Sequence, residues 1–176
     1  MIPLGSAQTG LMVWRDYDVV VDAPGLGGGA AFETMRPLLG RSRAARCEAD
    51  AELRRHYFVL RLPSAAGREW KLDVSFLVAG LPPGVETAPR DLYRRLSPEN
   101  RLAILRFKDA WHRHPAYPEV VGAVHIYDAV LEHGIDTLAA LDEYLAERGL
   151  PTLYRGRRVH GYRARNRPRG GGRGAP

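Results

Sequence analysis

The sequence predicts an α/β (α+β) protein: a small mixed sheet with flanking helices, followed by a C-terminal helical segment. Three observations carry that expectation. Runs of strand length and composition at Ile2–Leu4, Asp16–Val21, His56–Leu62 and Glu69–Leu77 all fall within the first 80 residues, interleaved with a helix-like Ala30–Leu39. A proline-rich stretch, LPPGVETAPR, occupies residues 81–90. Beyond it, helix-start residues and helical spacing replace the strand patterns.

Each element has a local reason. Ile2–Leu4 is a strand stub that runs into Gly5-Ser6. DYDVVV (16–21) is a β-branched strand, broken by Pro24 and the glycines at 25, 27, 28 and 29. Ala30–Leu39 then reads as a helix closed by Gly40. Residues 41–54 are rich in Arg, Ala and Glu and read as a second short helix or a loose connection. His56–Leu62 and Glu69–Leu77 form a hairpin, because Pro63 and Gly67 stop both runs. Ser97-Pro98-Glu99 starts a helix to about His112, with Leu102, Leu105 and Trp111 inward. Pro118 opens a second, with Val120, Val121, Val124, Tyr127 and Leu131 at helical spacing, ended by Gly134. Asp136 caps a third, which carries Leu138, Leu141 and Leu145 and stops at Gly149. The expected organisation is a catalytic-type domain at 1–80, a linker at 81–90, a helical segment at 91–150 and a disordered Arg/Gly-rich tail at 151–176.

Composition narrows the class. A chain of 176 residues, 45% hydrophobic and 26% charged, can bury a core without disulfides or a structural metal. Its single Cys47 forms no internal disulfide. The start shows no charged leader with an apolar core, and no apolar run approaches membrane-spanning length, so a cytoplasmic protein without membrane association is expected. The formal charge of +6 is uneven: residues 155–176 hold eight Arg and no acid, leaving 18 basic and 20 acidic residues in 1–154. A tail of that composition cannot bury enough to order itself, and it offers weak, sequence-independent contact to nucleic acid. Arginine also dominates the whole chain, with 24 Arg to two Lys, which reads as a bias that would enrich any tail.

The chemistry-bearing residues stand in three places. Gly5-Ser6 follows the first strand; glycine lets backbone approach a phosphate, and a serine hydroxyl with nearby amides can bind the anion. Asp16 and Asp18 open the second strand and, two apart, point to one face, with Tyr17 opposite. Asp73 lies inside a later strand, where Lys71, Asp73 and Ser75 share one face and Trp70, Leu72, Val74 and Phe76 the other. Converging carboxylates repel unless cations intervene, and Mg²⁺ accepts carboxylates together with substrate phosphates. Two such ions clamp the attacking and leaving oxygens of a phosphoryl displacement.

Leu4-Gly5-Ser6, Gly10, Asp16-Tyr17-Asp18 and Asp73, in that order, resemble the DNA polymerase beta-like nucleotidyltransferase superfamily over residues 2–77. The resemblance implies a sheet of nucleotidyltransferase type. It also implies Mg-dependent transfer of a nucleoside monophosphate from an NTP such as ATP to a hydroxyl of an acceptor, with release of pyrophosphate. By resemblance Gly5 and Ser6 bind the NTP phosphates and Asp16, Asp18 and Asp73 hold two Mg²⁺ ions, Asp73 also helping to deprotonate the acceptor. The family places a helix before the first strand; here the strand begins at residue 2, so either the start is misassigned or truncated or the sheet lacks one cover. The acceptor, whether small molecule, protein or RNA, carries no motif. In relatives that modify small molecules the acceptor base often comes from the helical part, which makes Asp109, Asp128 and Glu132 candidates.

Other signals are weaker. Gly25–Ala30 matches G-x-G-x-x-A, but residues 41–54 show no strand character to follow it, so the stretch reads as a flexible turn. His125, Asp128 and Glu132 share a helix face, with His112 and His114 near in sequence; this reads as a solvated face rather than a metal site. Met12 and Trp14, in an apolar loop, are expected to pack or to wall a base or acceptor pocket. Cys47, despite its Arg-rich flank, reads as a spectator thiol. The alternative function is an inactive nucleic-acid-binding or regulatory module acting through the basic tail.

Overall fold

A computed structural model of the chain describes residues 1–154. The tail reading at 155–176 lies outside the described residues. Five strands form one mixed sheet in the order β1-β2-β5-β4-β3: β1 Ile2–Leu4, β2 Asp16–Asp22, β3 Ala44–Asp50, β4 Arg55–Pro63 and β5 Glu69–Leu77. β2 pairs parallel with β5; β1 with β2, β4 with β5 and β3 with β4 are antiparallel. The helices are α1 Gly5–Thr9, α2 Gly28–Leu39, α3 Ala88–Arg95, α4 Pro98–Trp111, α5 Ala123–Leu131 and α6 Leu138–Glu147. The mixed α/β class is as expected, as is the β4–β5 hairpin.

The sheet has an apolar face and a polar face. Phe58, Leu60, Val74 and Phe76 pack with Ala31 and Met35 of α2, and the Phe58 and Phe76 rings meet edge to face at 5.7 Å. The other face carries Asp16 and Asp18 of β2 with Lys71, Asp73 and Ser75 of β5, because strand side chains alternate. A second core forms among α4, α5 and α6 around Ile104, Phe107, Trp111, Ile126, Leu141 and Leu145. Leu11, from the loop between α1 and β2, is fully buried in this helical core. Arg101 donates to the Thr9 carbonyl at 2.8 Å and Lys108 to the Leu11 carbonyl at 2.7 Å, which ties α4 to the same loop. The apolar loop is therefore the plug that docks the helices beside the polar sheet face.

Several local expectations need correction. Residues 44–50 are neither helix nor loose connection but the edge strand β3. They lack β-branched residues and are almost wholly exposed, so the backbone ladder to β4 holds them where side-chain patterning gives no signal. This strand does not revive a dinucleotide fold, since it lies at the far edge from β2 and runs antiparallel to β4. α3 takes up the end of the proline-rich stretch, so four helices rather than three follow the sheet among the described residues. Ser97 caps α4 as expected, accepting from Asn100 N at 3.1 Å. Trp111 is buried and Leu105 half-buried, but Leu102 is exposed and Ile104 and Phe107 point inward instead. α5 starts at Ala123 rather than Pro118; Val120, before it, and Val124, on its outer side, are exposed. Thr137, not Asp136, caps α6. Residues 151–154, assigned to the tail from sequence, are held by the Asp142 carboxylate, which accepts from Leu153 N and Tyr154 N at 3.0 Å each.

Candidate functional site

The parallel register of β2 on β5 sets Asp18 beside Asp73 and Asp16 beside Lys71. Asp16 and Asp18 already share a face, so this one pairing brings three carboxylates together: each offers an oxygen within 4.8 Å of the others. Among the described residues no other group of three or more His, Cys, Asp or Glu side chains has metal-holding geometry. Asp73 is 8% exposed. Its Oδ2 accepts from the Tyr57 hydroxyl at 2.8 Å and from Lys71 Nζ at 2.6 Å. Lys71 Nζ also lies 3.3 Å from Asp16 Oδ1, close enough for an ion pair but outside hydrogen-bond geometry. Asp73 Oδ1 is thus buried with no partner among the described residues, an arrangement that folded proteins rarely leave uncompensated, while Asp16 Oδ1 is met only by the Lys71 ammonium.

Electrostatics follow from burial and like charge. Burial first, then the charges of Asp16 and Asp73, push Asp18 up from 3.8 to about 6. Burial also raises Asp16, against the pull of the Lys71 charge. For Lys71 burial works the other way, yet the Asp73 hydrogen bond and the Asp16 charge outweigh it and hold the ammonium above its ordinary range. Lys108, 2% exposed, is lowered by burial to about 8 despite the attraction of Asp16 and Asp18. Its ammonium faces the Trp14 and Tyr127 rings at 5.4 and 5.8 Å, favourable cation–π distances.

Gly5 adjoins this cluster for a steric reason. Its φ is +70°, and a Cβ placed there would lie 2.1 Å from Asp18 Oδ2, so no side chain fits. Ser6 follows in the first turn of α1, half-buried. Gly5, Asp18 and Asp73 line a cavity of about 380 Å³ whose far wall is Arg55, Tyr57 and Ser75. Arg55 donates to Ser75 Oγ at 3.0 Å and stacks over the Tyr57 ring at 4.2 Å. A larger cleft of about 590 Å³ opens on the Asp16–Lys71 side, between the sheet and the segment 112–119. Trp14 forms part of its wall, stacked on His112 at 5.6 Å and edge-on to Tyr117 at 5.2 Å, with Arg46, Arg61 and Glu119 around it. Met12, the other candidate wall residue, does not line this cleft.

The sequence-predicted residues thus divide. Gly5, Asp16, Asp18 and Asp73 come together, whereas Ser6, next to Gly5 in the chain, lines neither cavity. Asp109, Asp128 and Glu132 line neither cavity. Asp128 accepts from the Tyr144 hydroxyl, and Glu132 pairs with Arg95 on the helical segment. His125 accepts from Gly122 N within its own helix start. The Cys47 thiol is raised by burial rather than lowered by its arginine neighbours. Sequence reasoning passed over Tyr57, Arg55, Lys108 and Glu119. Strand alternation predicts Arg55 and Tyr57 on one face of β4, but only pairing with β5 shows that it is the face of Asp73.

No protein family, curated protein or solved structure matches the chain.

Proposed function

We propose that the protein is a nucleotidyltransferase of DNA polymerase beta-like type, passing a nucleoside monophosphate from an NTP to an acceptor hydroxyl. The observation that carries this reading is the convergence of Asp16, Asp18 and Asp73 beside Gly5, with the buried Asp73 Oδ1 left unpartnered. An oxygen-only set of three carboxylates, one with a buried unpartnered oxygen, fits Mg²⁺, and these three residues would hold it. When bound, such ions neutralise phosphate charge and lower the pKa of an attacking hydroxyl.

The chain's own residues supply positioning. Gly5 allows close approach of a phosphate to the backbone, and Ser6 with the amides of α1 offers donors. Arg55, which lines the same 380 Å³ cavity as Gly5 and pairs with Asp50 at 3.1 Å, would offer the outer phosphates a cation. Tyr57 holds Asp73 by its Oδ2, which leaves Oδ1 free of hydrogen bonds. The 590 Å³ cleft, with Trp14 and Tyr117 on one wall and Arg46 and Arg61 on another, would take the acceptor or the base. Catalysis in this arrangement is mainly positioning and charge neutralisation.

Pyrophosphate release from Mg-ATP and the other NTPs, with candidate acceptors supplied, tests the reading. Asp16→Asn and Asp73→Asn should each abolish it while the variants remain folded. Retention of full activity in either variant overturns the assignment. Calorimetry with Mg-ATP on the parent and on Asp18→Ala gives an acceptor-independent check: metal-dependent heat is expected in the parent alone.

A further inference from the structure

The chain uses arginine for 24 of its 26 basic residues, yet its two lysines, Lys71 and Lys108, both stand at the aspartate cluster. Lysine differs from arginine in carrying a compact point charge on a flexible four-carbon stem. That difference matters at Lys71. Its Nζ lies between Asp73 Oδ2 at 2.6 Å and Asp16 Oδ1 at 3.3 Å, as a small cation would. A divalent ion drawn to the unpartnered Asp73 Oδ1 and to Asp16 Oδ1 would meet this ammonium at close range, and like charges so near cannot share the site.

Lys71 has somewhere to go. Its side chain is 19% exposed and lines the 590 Å³ cleft beside Arg61 and Arg46. Its departure would not strip Asp73 Oδ2, because the Tyr57 hydroxyl remains bound there at 2.8 Å. Lys108 lacks that freedom: it is 2% exposed and fixed to the Leu11 carbonyl. We propose that Lys71 is the resident counter-cation of the aspartate cluster, displaced by the first divalent ion into the adjoining cleft, where its ammonium becomes an anion contact next to the metal. Metal occupancy would then switch on the cationic character of the cleft. Lys71 is a positioning residue in this account, and the inference rests on the nucleotidyltransferase reading of the same site.

Two measurements on the full chain test it, with Mn²⁺ as the probe. Free Mn²⁺ is followed by electron paramagnetic resonance during titration of the parent, Lys71→Met, Lys71→Arg and Asp18→Ala, each checked by thermal melting. Lys71→Met should bind Mn²⁺ about tenfold or more tightly than the parent, since the competing charge is gone. Lys71→Arg should bind more weakly than Lys71→Met, because it restores the charge. Amine acetylation read by mass spectrometry gives the second readout, and the two-lysine composition makes it clean. Saturating Mn²⁺ should speed Lys71 modification several-fold and leave Lys108 unchanged. If the parent binds Mn²⁺ and Asp18→Ala does not, yet Lys71 reactivity stays constant or Lys71→Met binds no more tightly, this inference falls and the metal site stands. If neither the parent nor Lys71→Met binds Mn²⁺, both fall together.

Discussion

Replacing Asp18 by Asn should make the metal-free protein more stable while removing its metal binding. Asp18 is raised from 3.8 to about 6 by burial and by the charges of Asp16 and Asp73. Between those two values the folded state binds more protons than the unfolded chain, so this group's contribution to stability declines as pH rises through 6. Above pH 7 the ionised carboxylate therefore costs about 3 kcal/mol, from roughly two pKa units at 1.36 kcal/mol each. Asn keeps the shape and carries no charge, and its amide can donate to the neighbouring carboxylates. Allowing for solvent access at the cluster, a gain of about 2 kcal/mol, or roughly 4–8 °C in Tm for a chain of this size, is expected at pH 7.5 in EDTA. The gap should shrink to about a third at pH 4.5, where the folded parent is protonated. Adding millimolar Mn²⁺ should raise the parent Tm and leave Asp18→Asn unmoved, since only a ligand bound by the native state stabilises it. Differential scanning fluorimetry across pH, with and without metal, reads all of this. An Asp18→Asn protein no more stable than the parent in EDTA at pH 7.5 would refute the electrostatic reasoning.

Three further outcomes follow from the same geometry. Gly5→Ala should displace the Asp18 carboxylate, because the added Cβ would lie 2.1 Å from Oδ2; Mn²⁺ affinity falls sharply in titration while far-ultraviolet circular dichroism is retained. Leu11→Ala should lose about 2–5 kcal/mol, measured by urea unfolding, since it empties a fully buried position that docks the helices onto the loop before Asp16. Lys108→Met should flatten the alkaline stability profile. The folded value of Lys108 is about 8 against an ordinary 10.5, so stability rises with pH across that window by up to about 3 kcal/mol in the parent. An equal rise in Lys108→Met, by urea unfolding between pH 7.5 and 10.5, would count against a buried ammonium there.

Much of the candidate site was legible because its signals are local. The two-residue spacing of Asp16 and Asp18, and of Lys71, Asp73 and Ser75, assigns each set to one strand face whatever the rest of the chain does. Ser97 likewise acts through neighbouring backbone, as the cap of α4. β3 was not legible, because an exposed edge strand needs neither hydrophobic alternation nor β-branched residues, only a partner ladder. Leu102 and Val124 misled for a related reason: helical periodicity names a stripe of apolar residues, and only the arrangement of α4 to α6 selects which side is buried.

The strand faces, the Ser97 cap and the unequal use of lysine and arginine belong to the sequence itself. That β2 lies parallel beside β5, that Tyr57 and Lys71 share the Asp73 carboxylate, and that Leu11 plugs the helical core while Trp14 turns to the cleft were decided by the tertiary structure. Periodicity and capping are properties of adjacent residues. Which strand pairs with which is settled by burying both cores at once, and it is that pairing that brings residues 16 and 18 to residue 73.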